Sequence, residues 1–176
     1  MRRRIPFVMV ALGLYLAWLH PSHANGRRDP ILRLRGTASC GSGLPSLSAE
    51  VEIDPIIFQI STVQGRYKLF RIRLVNGCGR VLHLDKTKDK VEAMADGKAV
   101  GAIIDMPQHD KRFWDSLSFE LRQALAYPRG LEPNEEQAIF VFIATDGLSA
   151  APNIVAYSIS ELSQPLQITN RGATTK

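Results

Sequence analysis

Apolar and polar side chains alternate most cleanly between Lys68 and Val75, with Phe70, Ile72 and Leu74 on one face and Arg71 and Arg73 on the other. A period of two over that length predicts a half-buried strand, hydrophobic inward and charged outward. Asn76-Gly77-Cys78-Gly79 follows, then a second strand-like run from Val81 to Leu84, so the pattern predicts a hairpin with Cys78 at its turn. Upstream, the segment VEIDPIIFQI (residues 51–60) alternates through Val51 and Ile53. It breaks at Asp54-Pro55 and resumes in the opposite parity with Ile56, Phe58 and Ile60. Proline cannot donate to a sheet ladder, so this segment is expected to be an edge strand carrying a bulge.

Downstream, a charged turn (residues 85–90) leads to two short apolar runs around Asp96-Gly97, a strong hairpin signal. Residues 137–145, QAIFVFIAT, are apolar on both faces and read as a central strand, and residues 153–159 add another. The helical period is best developed in residues 118–126, SFELRQALA. Ser118 can cap, Glu120 lies in the first turn, and Leu121 and Leu125 share a face. Tyr127-Pro128 stops that helix. About seven short strands and one helical stretch predict a mainly β protein, a β-sandwich with one short helical insertion.

The series RIRLVNGCGRVLHL, VEAMADGKAV and LEPNEEQAIFVFI, within residues 70–143, resembles the immunoglobulin-like exported sandwiches typified by the intracellular proteinase inhibitor family of bacilli. That family has a strand ending in Asn, an Asp-Gly-Lys hairpin and a Leu-x-Pro-Gly-Glu turn before a late strand. Here Asn134 stands in place of the glycine, and the helical stretch from Phe113 to Tyr127 is an insertion. The resemblance implies an immunoglobulin-like fold. It implies no inhibitory residues, because no inhibitory motif is matched.

The chain opens with Arg2, Arg3 and Arg4, thirteen apolar residues from Phe7 to Leu19, then Pro21 and Ser22-His23-Ala24. This is the three-part layout of a secretory signal peptide cleaved after Ala24. Thirteen helical residues rise only about 20 Å, short of the roughly 30 Å hydrocarbon core, which argues against a permanent anchor. The expected organisation is a signal peptide (residues 1–24), a loosely structured N-terminal segment (25–50), a β-sandwich domain (51–168) and a flexible tail (169–176). Residues 1–24 hold three arginines and no acid, so the formal charge falls from +5 to +2 on cleavage. So balanced a chain lacks the basic footprint of a nucleic-acid binder.

Cys40 and Cys78 are the two cysteines, and in an oxidising compartment such a pair is expected to form a disulfide. The sharper alternative is copper, since Cys78 and His83 have a Cys-x4-His spacing, but the second histidine and a nearby axial Met are not suitably placed. Two His-Asp juxtapositions, His83 with Asp85 and His109 with Asp110, have residue types suited to acid-base chemistry, but a lone pair at such spacing is common, and a polar sheet face and a solvated loop are the preferred reading. Ser149 in Gly147-Leu-Ser-Ala-Ala151 lacks the helix a nucleophile elbow needs, since Pro152 follows.

No catalytic residue, metal ligand or cofactor is therefore assigned. The sequence points to a periplasmic or secreted non-catalytic sandwich with a protein partner in the cell envelope and no membrane span after cleavage. Phe113 and Trp114 in the insertion, and Arg71 and Arg73 on the strand, are the expected partner-binding residues. A hydrolase using His83, Asp85 or His109, and a metal-handling protein using Cys78 and His83, stand as the alternatives.

Overall fold

The computed structural model describes residues 31–41, 46–146, 148 and 150–170. Along them run β1 (Leu32–Ser39), β2 (Ser46–Ile53), α1 (Pro55–Ile60), β3 (Tyr67–Asn76), β4 (Leu82–His83), β5 (Lys90–Ala95), β6 (Lys98–Val100) and β7 (Ala102–Ile103). Then follow α2 (Met106–His109), α3 (Lys111–Ser116), α4 (Phe119–Leu125), β8 (Gly130–Leu131), β9 (Glu136–Ala144), β10 (Ile154–Ser158) and β11 (Leu166–Thr169). The expected signal peptide, residues 25–30, Ser149 and residues 171–176 lie outside the described residues.

Nine strands form one antiparallel sheet in the order β6-β5-β10-β11-β1-β2-β3-β9-β7. Its first and last members, β6 and β7, are successive pieces of one chain segment separated by Gly101 alone. The sheet therefore curls back on itself, and β5 comes into contact with β7. The chain is mainly β and of the sandwich class, with one continuous sheet supplying both layers. The other corner lies where β11 crosses β1. A Cβ on Gly36 would stand 2.0 Å from the Gln167 carbonyl oxygen, so only glycine admits that approach.

Inward-facing Leu34, Leu47, Val51, Ile72, Leu74, Ile139, Val141, Val155, Tyr157, Leu166 and Ile168 fill the space between the layers. The strands read from alternation at residues 68–75 and from the two-faced run at 137–145 are β3 and β9, paired from Tyr67↔Ala144 to Val75↔Glu136. The Asp96-Gly97 hairpin joins β5 and β6, both turn residues having positive φ. Ser118 caps α4 through Leu121 N–H, as expected.

Three expectations fail. Residues 55–60 are not a bulged edge strand but helix α1. Asp54 Oδ1 accepts from the N–H groups of Ile56 and Ile57, and Pro55 occupies the first turn, where its missing donor is harmless. Residues 25–50 were expected to be loosely structured, yet β1 and most of β2 lie there, in register from Leu32↔Ile53 to Ser39↔Ser46. Finally, β3 and β4 form no hairpin. Both flanks of β3 are taken by β2 and β9, so β4 is displaced into a two-stranded ribbon with β8. That ribbon closes one end of the core with Leu82 and Leu131, while α1 closes the other with Phe58.

The helical insertion extends beyond residues 113–127 to three helices, α2 to α4. They cover the outer side of the β3–β9 pair with a second cluster of Tyr67, Met106, Phe113, Leu117, Leu125 and Phe142. Among the described residues no helix is long and apolar enough to cross a membrane.

Candidate functional site

The helices cover only part of the sheet's outer surface, and the rest of β1, β2, β3 and β9 carries outward-facing charges in cross-strand rows. The pairing places Arg35 beside Glu50, Glu50 beside Arg73 and Arg73 beside Ala138. In the next row Arg33 adjoins Glu52, and Arg71 faces Phe140. Opposite charges on neighbouring strands attract modestly when exposed, so these rows set register more than they add stability.

Arg33 pairs with Glu52 at 2.9 Å, Arg35 with Glu50 at 2.8 Å, and Arg73 bridges Glu50 at 3.4 Å and Glu136 at 2.6 Å. The Arg73 hydrogen bond holds the Glu136 carboxyl below its ordinary range, and the charges of Arg73 and Arg71 add to that effect. Arg71 itself enters no salt bridge among the described residues. It lines a shallow cleft of about 220 Å³ with Glu50, Glu52, Arg73 and Glu136. A second cleft of about 260 Å³ continues the groove past Arg35, Thr37, Ser48 and Val75.

Phe113 and Trp114 do not join this face. Phe113 is 2 % exposed, its ring 4.6 Å from that of Tyr67, so it is a core residue of the second cluster and unavailable to a partner. Trp114 is half-buried against the same cluster. The insertion is fastened by Asp110, which accepts from Phe113 N–H at 3.0 Å and from the Tyr67 hydroxyl at 3.1 Å and pairs with Arg66 at 2.7 Å. The Phe113 N–H is the main influence that lowers the Asp110 carboxyl, while burial and the Asp110 contact raise the Tyr67 phenol.

The His-Asp juxtapositions resolve into turn structure. Asp85 Oδ1 accepts from the N–H and hydroxyl of Thr87, and Oδ2 pairs with Lys88, which together hold its carboxyl down to about 2. Its carboxylate thus serves the 85–89 turn, and His83 points to solvent from β4. Asp110 is committed to Arg66, Tyr67 and α3, and the His109 ring instead meets Tyr67 edge-on at 6.5 Å.

Cys40, one residue beyond β1, and Cys78, two beyond β3, are joined as a disulfide with a Cα separation of 5.5 Å. In that form Cys78 offers no thiolate to a metal. No group of three or more His, Cys, Asp or Glu that could hold a metal ion occurs among the described residues.

Three buried polar devices escaped the sequence reading. Asn76, fully buried, donates to the carbonyls of Arg80 and Leu131 and accepts from Cys78 N–H, so it anchors the turn that presents the cysteine. Lys68 lies on the inward side of β3, where its ammonium donates to the last carbonyls of α1, Phe58 at 2.7 Å and Gln59. Asp89 gathers Tyr127 and two backbone donors. Asn before Gly, and a lysine in phase with inward apolar residues, were the available signals; Asp89 sat in a charged run that gave none.

Compared with known proteins, the chain matches no family model, no curated protein and no solved structure.

Proposed function

We propose that the protein is an exported, non-catalytic β-sandwich that binds a protein partner of the cell envelope through the charged face of β1, β2, β3 and β9. The observation carrying this reading is Arg71. It is an exposed guanidinium in a cleft whose three carboxylates, Glu50, Glu52 and Glu136, are already bonded to other arginines. A planar donor fork held on a rigid strand, with its neighbours' charges satisfied, suits a carboxylate brought by a partner. The reading of export rests on the basic-apolar-small pattern of residues 1–24 and on the disulfide, which belongs to an oxidising compartment.

The test is comparative capture from a cell-envelope extract. A partner retained by the wild-type chain and by Trp114→Ala is expected to be lost with Arg71→Glu, and to be released as salt is raised. An identical set of captured proteins with wild type and Arg71→Glu refutes the face.

A further inference from the structure

Helix α1 buries one apolar side chain and exposes two others, alongside Gln59. Phe58 enters the core, and Lys68 fastens the carbonyls of Phe58 and Gln59 across the end of the sheet. On the outer side, Ile56 and Ile60 stand four residues apart and share one stripe, 49 % and 72 % exposed. Large apolar side chains exposed together in one patch mark a candidate contact surface.

Two further apolar side chains belong to the same end of the fold. Ile31, 50 % exposed, immediately precedes Leu32, whose partner Ile53 is followed by Asp54, the cap of α1. Phe119, 67 % exposed, opens α4 three residues after Ser116, and Ser116 is hydrogen-bonded to Gln64, four residues past Ile60. The other two exposed large apolar residues among those described, Met94 and Ile154, face each other across β5 and β10.

The described residues begin at this end as well. Eleven residues, 20–30, separate Ile31 from Leu19, the last of the apolar run at residues 7–19. Fully extended they reach at most about 38 Å. While that run is engaged with a membrane, the end carrying the isoleucines is tethered beside the same bilayer.

We infer that this end of the fold is a lipid-docking surface, with Ile31, Ile56, Ile60 and Phe119 entering the interfacial layer of the membrane across which the chain passes. The inference rests on the reading of the chain as exported and is independent of the arginine face, since it involves neither Arg71 nor a protein partner. Docked in this way, the protein keeps its end on the membrane and its charged side free. Apolar side chains seated at the headgroup boundary bind in proportion to the area they bury and survive added salt.

Co-sedimentation tests it with the chain from Asn25 to Lys176, which carries every described element but not the apolar run. The probes are vesicles of phosphatidylcholine alone and of phosphatidylcholine with phosphatidylglycerol. Wild type is expected to bind both, with binding retained at high salt. Ile56→Ser with Ile60→Ser is expected to weaken partitioning at least about tenfold, in keeping with the apolar area removed, and Arg71→Glu is expected to leave binding to the phosphatidylcholine vesicles unchanged. Ile60→Ser alone, at the most exposed of these positions, reads the same direction of loss without touching the core. Wild type that fails to sediment, or isoleucine variants that sediment as wild type, overturns the inference. Self-association that the isoleucine variants abolish, in the absence of vesicle binding, overturns it in favour of a second copy as the cover.

Discussion

The Tyr127 hydroxyl donates to Asp89 Oδ2 at 2.6 Å, and its oxygen also meets the hydroxyl of Tyr157. A phenol has one proton, so with Tyr127 committed to the carboxylate, Tyr157 is the donor in the second bond. Asp89, 4 % exposed, further accepts from Asp85 N–H at 2.9 Å and Ser160 N–H at 2.7 Å. One buried carboxylate thus ties the 85–89 turn, the linker after α4 and the end of β10. Tyr127→Phe removes a donor from a buried charge and is expected to destabilise the fold by about 1–3 kcal/mol. Urea unfolding of the variant against wild type measures it, and a change below a few tenths of a kcal/mol contradicts the role.

Burial is the leading cause that raises both phenols, Tyr127 and Tyr157, above their ordinary value of 10.0. Groups whose folded pKa lies above the unfolded one favour the folded state fully below the unfolded value and withdraw that support as pH rises past it. Stability is therefore expected to fall above pH 10, with tyrosinate absorbance from these two rings appearing only as the fold is lost. Tyrosine ionisation complete before unfolding, followed by absorbance and circular dichroism together, contradicts the sign.

The Cys40–Cys78 link spans 38 residues and joins the end of β1 to the turn after β3. In the chain-entropy description, opening a loop of that length costs about 4 kcal/mol, an upper figure. A Cys40→Ser, Cys78→Ser variant and reduced wild type are both expected to melt well below oxidised wild type and close to each other. Equal melting of oxidised and reduced wild type rules out a structural contribution.

At Gly36 the Gln167 carbonyl occupies the place of a side chain. Gly36→Ala is expected to cost at least about 1–3 kcal/mol, the usual penalty for overpacking, because the obstacle is backbone and cannot turn aside. Gly101→Ala, with open space around the new methyl, is the control and is expected to melt near wild type. Similar melting of the two variants argues against the close crossing.

Where parity or a turn signal was strong, the sequence was readable. Arg71 and Arg73 were placed on an outward strand face by the inward phase of Phe70, Ile72 and Leu74, and Asp96-Gly97 marked its hairpin. β1 was hidden for a physical reason. Two of its three buried positions, Gly36 and Ala38, are small, Gly36 because β11 passes close over it, so its hydrophobic signal is weak although Leu32-Arg33-Leu34-Arg35 alternates. Six residues of α1 are too few to tell a period of 3.6 from a broken period of two, and there Asp54-Pro55 as cap and first-turn proline was the better guide.

The candidate site was half legible. The arginine face follows from local phase, but the burial of Phe113 depends on Tyr67 and Phe142, distant in sequence. The same holds for Asp89, whose partners Tyr127 and Ser160 lie 38 and 71 residues away. No window of sequence contains such a network.

The single segment from Lys98 to Ile103 hydrogen-bonds β5 with its first half and β9 with its second. A visiting strand would have to displace this seam before it could extend the sheet there, and losing the seam would bare two ladders at once. Exchange of the seam between two molecules is the route by which it would assemble wrongly.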